Sequence, residues 1–379
     1  MSKTIASGNI CSAPRPEPPD RVTAPVLTID PGAVVDNWRQ LAARHAGDTA
    51  AVVKADAYGL GAALIAPALA AAGCRHFFVA TPDEAFRLRT VLADPWIAVL
   101  NGCPAGMERD FIAHRLTPVL NSLGDVARWR TSVQDRAMSH PAVLHIDTGM
   151  SRLGFDRAEM AQLDTTPDLL TGVTLTYIMS HLVSAEQPDC DETRQQATRF
   201  ARLRARFSGV KTSFANSSGM FLGPAFESDL ARPGYALYGG NPVPGRANPM
   251  RPVVGLAAPI LQIRQIEPGD TVGYNATWRA ARPSLIATIG VGYADGMPRA
   301  LANRLLAYHN GKPVPLVGRV SMDLMSFDVT DCPDLAPGDL LDLIGPHHGI
   351  DDVAREAGTL GYEILTSLGR RYRRVAKSV

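Results

Sequence analysis

The chain has 379 residues and nearly balanced charge, 38 Lys plus Arg against 37 Asp plus Glu, so its formal net charge of +1 leaves no electrostatic footprint for nucleic acid or an anionic membrane surface. Cys11, Cys74, Cys103, Cys190 and Cys332 are odd in number, scattered and without CxxC or Cys/His spacing, which argues against a disulfide framework and a structural zinc site and for a reducing compartment. This length suits two domains, or a barrel plus a smaller domain.

Residues 1–24 hold Pro14, Pro16, Pro18 and Pro19 among polar residues with no apolar h-region, and read as a loose tail, not a signal peptide. No segment approaches the roughly 20 uninterrupted apolar residues of a membrane span, so a soluble, cytoplasmic protein is expected. APVLTID (24–30) predicts a strand and Asp36 to His45 a helix. The run AVVKADAYGLG (51–61) predicts a buried strand that enters a glycine-bent loop, followed by an alanine-rich helix from Ala62 to Ala72. HFFVA (76–80) is strand-like and Pro82 to Val91 helix-like, with Asp83 and Glu84 at the helix start, where the dipole favours acids. WIAVLNG (96–102), LTPVLNS (116–122), AVLHIDTG (142–149), LTYIMSH (175–181), SFANSSG (213–219) and ARPGYALYGG (231–240) continue the series. Strands alternating with helices at this spacing imply a parallel sheet, and their number suits a closed (β/α)₈ barrel over residues 25–250. After NPVPGRANPMRP (241–252) the apolar runs become short and turn-linked, which predicts a mostly β domain over 251–379.

Lys54 closes its apolar run at what is predicted to be the carboxyl end of a barrel strand, the face where barrels carry chemistry. A desolvated lysine there loses its proton easily enough to form a Schiff base with an aldehyde cofactor, although a lysine snorkelling from a strand end fits the segment too. In IDTGMSRLG (146–154) a short loop puts forward Arg152, whose guanidinium can hold a phenolate or carboxylate, or be an ordinary loop arginine. FANSSG and ARPGYALYG offer Ser217, the backbone near Gly219, Gly234 and Tyr235 as donors to a phosphate, or simply form two turns. His181 ends a strand, where a lone histidine is more often structural than catalytic. Beyond residue 250, TIGVGYADGMPR presents Tyr293 in a glycine-flanked loop and VGRVSMDLMSFDV carries Met322 and Asp323. A phenol with an ordinary pKa near 10 accepts a proton only beside a cation or donor, a part that Arg152 or His181 could play. His347-His348-Gly349 reads as a surface turn and not as a metal site.

The order and spacing of VVKADAYGLG, IDTGMSRLG, SHL, FANSSG, RPGYALYG, GYNATW, VGYADG, VGRVSMD and GYEILTSLGRR resemble the pyridoxal-phosphate-dependent alanine racemases of fold-type III, over residues 25 to 379. The resemblance implies an N-terminal barrel and a C-terminal β domain. It implies interconversion of L- and D-alanine by two bases, Lys54, which also carries the cofactor, and Tyr293, with D-alanine supplied for cell-wall synthesis. Tyr58, Ser217, Gly234, Tyr235 and Tyr362 match phosphate-binding positions, with Asn216 beside Ser217. Arg232 matches the residue facing the pyridine nitrogen, and His181 a support of the ring. Arg152 matches a contact to the phenolic oxygen and substrate carboxylate, and Met322 a second substrate contact. A homodimer is implied, with Tyr293 reaching the partner's site, and no metal, nucleic acid or membrane partner. A broad-spectrum or serine racemase would keep Lys54 and Tyr293, a fold-type III decarboxylase fits less well, and a non-catalytic pyridoxal-phosphate carrier would lack the second domain. One departure stands out: many relatives have a carbamylated lysine where this sequence has His145, which is therefore expected to be neutral and to position Arg152 without a carbamate.

Overall fold

The computed structural model describes residues 24–134 and 140–377. Of the proline-rich tail expected over residues 1–24, residues 1–23 lie outside the described residues. Among the described residues no helix is long and apolar enough to cross a membrane.

The first strand, β1 (Val26–Ile29), is followed by β2 (Asp48–Thr49), β3 (Ala51–Val52), β4 (His76–Val79), β5 (Trp96–Val99), β6 (Leu116–Leu120), β7 (Pro141–His145), β8 (Thr174–Met179), β9 (Lys211–Ser213), β10 (Leu230–Ala231) and the long β11 (Val254–Ile266). One parallel sheet runs β2-β10-β9-β8-β7-β6-β5-β4-β3. Because β2 and β3 are successive parts of one extended stretch, β2 pairing with β10 and β3 with β4 bring the sheet round on itself as a barrel. Its staves are apolar runs such as Phe77, Phe78 and Val79 or Ile97, Ala98 and Val99, nearly all fully buried, as parallel strands covered on both faces must be. Helices follow the staves. The helix Pro82–Arg89 starts with Thr81 accepting from Glu84 N while the Glu84 carboxylate accepts from Thr81 N, a reciprocal cap strengthened by Pro82 at the first helical position.

The first predicted strand does not join the barrel. β1 pairs antiparallel with β11 and parallel with Arg373–Ala376, so it belongs to the second sheet, although the chain next enters the barrel through the helix Pro31–Arg44. Leu27 and Ile29 are buried while Val26 and Thr28 are partly exposed, the period-two pattern of a strand with one covered face. In that sheet β11 also pairs with Leu340–Ile344 and Ser284–Ile289, shifting register at Ile260 and Gln262. The expected change from alternating β/α to short β elements is what the C-terminal part shows. His347 is exposed, but His348 is not part of a surface turn: it is 4% exposed, with Nε2 3.0 Å from Glu356 Oε1. Burial of the ring and a carboxylate partner on the helix Ile350–Ala357 explain the difference.

Candidate active site

At the carboxyl ends of the staves lies a pocket of about 330 Å³, lined by Lys54, Tyr58, His145, Arg152, His181, Asn216, Ser217, Arg232, Gly234, Tyr235 and Tyr362, with Asn101 and a few apolar neighbours. Ten of the twelve residues to which the sequence assigned a part in the site, together with His145, therefore converge, and none of the lining side chains is a carboxylate. Three fixed or titratable cations facing one cavity make it a site for anions.

Lys54 follows β3 by two residues and opens a turn in which Ala55, Asp56, Ala57 and Tyr58 all adopt left-handed backbone, with φ of 52°, 55°, 53° and 55°. For residues with a Cβ this conformation costs about 1–2 kcal/mol each. The sequence suggested a bend at the glycines, and Gly59 and Gly61 do have positive φ, but the bend begins four residues earlier. It is held from outside: Ala55 N donates to Glu84 Oε1 at 2.7 Å, Ala62 N to Asp56 Oδ1 at 2.7 Å, and Arg374 Nη1 to Gly59 O at 2.7 Å. Burial pulls the Lys54 pKa down, the Arg152 charge pulls it further, and Glu84 opposes both. The lysine thus sheds its proton more readily than an exposed one.

Ser217, Gly234 and the tyrosines form one wall of the pocket. Ser217 Oγ accepts from Gly234 N and Ala236 N, each at 3.1 Å, which fixes the hydroxyl at the pocket wall. A Cβ on Gly234 would stand 2.2 Å from the Tyr58 hydroxyl, so glycine is required for the backbone and that phenol to share the space. Of the two donors that Tyr235 carries, the hydroxyl is already engaged. Its hydroxyl donates to Asp351 Oδ1 at 2.6 Å, and its ring stacks on Tyr362 at 4.0 Å between centroids, leaving its backbone amide as the donor an anion can use.

Arg232 is only 4% exposed, with Nη1 donating to Ser213 Oγ and Nη2 to Ser180 O, both at 2.6 Å. Burial lowers its pKa to about 10, so it stays protonated at neutral pH. His181, whose carbonyl accepts from Gln196 Nε2 at 2.8 Å, is pushed well below the usual histidine pKa by burial and then by Arg232, Arg152 and Lys54. Arg152 rides an exposed loop whose base is tied by Asp147, which accepts from Gly149 N, Met150 N and Ser151 N within 2.8 Å. Beneath that loop His145 Nδ1 lies 2.8 Å from Asn121 Oδ1, and burial lowers its pKa to about 4.

Tyr293 and Met322 are the two that do not join the pocket. They lie together on the second domain, since Tyr293 N donates to Ser321 O and Ala294 N to Met322 O, both at 3.0 Å. Their side chains are 44% and 54% exposed. Sequence reasoning missed Glu84, read only as an acid at a helix start, and missed Asn121 and Asp351. Asn121 could have been found from its place directly after an apolar stave run, LTPVLN, whereas the reach of Asp351 to Tyr235 leaves no sequence signal.

Residues 29–242 match the model of the alanine racemase N-terminal domain and residues 253–376 that of the alanine racemase C-terminal domain. The chain belongs to the alanine racemase family. An alanine racemase of Acidiphilium cryptum is 66% identical over 355 residues, covering 94% of this chain and 99% of that protein. A catabolic alanine racemase of Agrobacterium fabrum is 46% identical over 352 residues, covering 92% of this chain and 91% of its own. The crystal structure of alanine racemase from Bartonella henselae with covalently bound pyridoxal phosphate superposes with a TM-score of 0.89 at 44% identity, over 93% of this chain and 99% of that one. Within the alanine racemase family, then, this chain keeps the two-domain order in full.

Proposed function

We propose that the protein is an alanine racemase that binds pyridoxal phosphate on Lys54 and interconverts L- and D-alanine with two bases, Lys54 and Tyr293, the tyrosine coming from a second copy of the chain. The observation that carries this reading is the division of the site: the cationic, carboxylate-free pocket holds Lys54, while Tyr293 stands exposed on the other domain.

The donor set fits the cofactor. Ser217, Tyr58, Tyr362, Gly234 and the Tyr235 amide would hold its phosphate, with Asn216 alongside, and Arg232 would face the pyridine nitrogen. Arg152 would hold the phenolic oxygen and the substrate carboxylate, with Met322 a second substrate contact and His181 a support for the ring. When bound, pyridoxal phosphate supplies a conjugated ring that takes up the electron pair left as Cα loses its proton. Lys54, its proton affinity lowered by burial, takes the proton from D-alanine on one face. Tyr293 takes it from L-alanine on the other, and each base returns a proton where the other has removed one. Arg232, tied to Ser213 and Ser180, stays a donor that keeps its proton, and would leave a pyridine nitrogen facing it unprotonated.

Borohydride reduction and peptide mapping should find the cofactor on Lys54, and a label on Lys211 or Lys312 would sink the assignment. A panel of L-amino acids should show alanine turned over best; serine or a broad set at equal rates would shift the reading to a wider racemase. Supply of D-alanine for cell-wall synthesis is part of the proposal, tested by whether deletion in the host creates a D-alanine requirement.

A further inference from the structure

The turn after Lys54 is the most strained backbone at the site, and a single side chain spans it. Glu84 sits 29 residues further on, on the next stave's helix, with one carboxylate oxygen accepting from Ala55 N at 2.7 Å and the other from Ala80 N at 2.7 Å and Thr81 N at 3.3 Å. A helix cap alone uses the second oxygen. The first holds the residue next to Lys54, at the start of four consecutive left-handed residues that would otherwise relax.

We propose that Glu84 is a positioning residue for Lys54, its carboxylate clamping the left-handed turn that aims the lysine into the pocket and tying the ends of two neighbouring staves together. Three backbone amides converge on one carboxylate, the charge-assisted arrangement that holds a loop more firmly than neutral contacts. The same charge faces the lysine. It opposes the burial and the Arg152 charge that together loosen the lysine's proton, and so keeps Lys54 able to hold a proton as well as release it. An exposed glutamate at a helix start has neither effect, and that is the reading this geometry replaces.

The inference rests on Lys54 being the cofactor lysine, which borohydride trapping in the unaltered protein tests separately. If trapping succeeds at Lys54 and the following results fail, Glu84 alone is at fault. In the full-length, cofactor-loaded protein, Glu84→Asp keeps the charge and can still cap the helix but is too short to reach Ala55. Loss of a hydrogen bond to a charged group should speed amide exchange at Ala55 about tenfold and lower kcat about tenfold, with KM for alanine changed far less. Glu84→Gln keeps the length and removes the charge. Its acid limb for D-alanine in kcat should move to lower pH, because Lys54 is a free amine only once substrate is bound, and without the carboxylate that amine deprotonates sooner. A Glu84→Asp protein with wild-type exchange at Ala55 and wild-type kcat, or a Glu84→Gln protein with an unmoved acid limb, overturns the assignment, even if both variants melt at lower temperature as lost helix caps.

Discussion

The two domains prepare their functional residues in opposite ways. In the barrel, Arg232, Ser217 and Tyr235 are buried and hydrogen-bonded, Tyr58 is buried beside them, and the pocket they form is closed from behind by packed staves. In the β domain, Tyr293 and Met322 stand out into solvent, yet the backbone beneath them is as firmly held. Asp295, 3% exposed, accepts from Gly292 N at 2.9 Å and from Arg371 Nε and Nη2 at 2.6 and 2.8 Å, while Arg371 also reaches Asp323 at 2.7 Å. Gly292 can lie against residues 321 and 322 only because a Cβ there would come within 2.3 Å of Met322 O. Rigid support under an exposed tyrosine, with Leu324 also exposed nearby, suits a surface completed by another molecule rather than a loose loop. On the function proposed above, one region is complete within the chain and the other is completed by a second copy.

The largest effects should come from breaking this division. Lys54→Ala should abolish racemisation and leave no cofactor that borohydride can fix to the chain. Tyr293→Phe should keep the bound cofactor but slow proton removal from L-alanine by about 10²–10⁴-fold, the usual weight of a positioned acid–base group. Mixing the two inactive proteins under conditions of proven subunit exchange should restore activity, because a heterodimer then contains one intact site. Absence of recovery would place both bases of each site in one chain. Asp295→Asn sharpens the comparison at a smaller scale. It loosens the loop under Tyr293, so kcat should fall about tenfold through misplacement of the tyrosine, and the variant should rescue Lys54→Ala on mixing as Tyr293→Phe does.

The barrel was legible because its signal is local: each stave is a short apolar run and each functional residue sits just past one, as with Lys54, His181 and Ser217. The second domain's rhythm was legible too, but the partners of β1 were not. A strand of four residues, VLTI, looks the same whether it opens a barrel or crosses to a sheet whose other members, β11 and Arg373–Ala376, lie more than two hundred residues away. Side-chain commitments were hidden for the same reason. In sequence Tyr235 offers both a hydroxyl and an amide, and only the contact with Asp351, 116 residues on, shows that the hydroxyl is taken. Glu84 reads as a helix-start acid until its contact with Ala55 is seen. Composition and spacing report which residues a segment offers, and long-range pairing decides which of their atoms remain free.

The smallest and most specific effect concerns His145. Asn121 donates through Nδ2 to Leu100 O and Val119 O, each at 3.1 Å, so its Oδ1 faces His145 Nδ1 as an acceptor. The histidine must then carry its proton on Nδ1, which leaves Nε2 as a lone pair in a ring that lines the pocket with Arg152. A neutral acceptor there can steady a guanidinium without any carbamate, so activity should not depend on bicarbonate. His145→Asn, which keeps a carbonyl acceptor, should retain much of the activity, and His145→Lys should recover only where it becomes carbamylated. The pH dependence follows from burial. With a folded pKa of about 4 against roughly 6.5 in the unfolded chain, the neutral ring contributes its full stability above about pH 6.5. As pH falls from there towards about 4 the unfolded chain takes up the proton first, and up to about 3 kcal/mol is lost. Urea unfolding at pH 7 and pH 5 should therefore show a steeper loss for the wild-type protein than for His145→Asn. Equal slopes would mean that burial does not hold the ring neutral, and a bicarbonate requirement in the unaltered protein would mean that Arg152 is held by something other than this histidine.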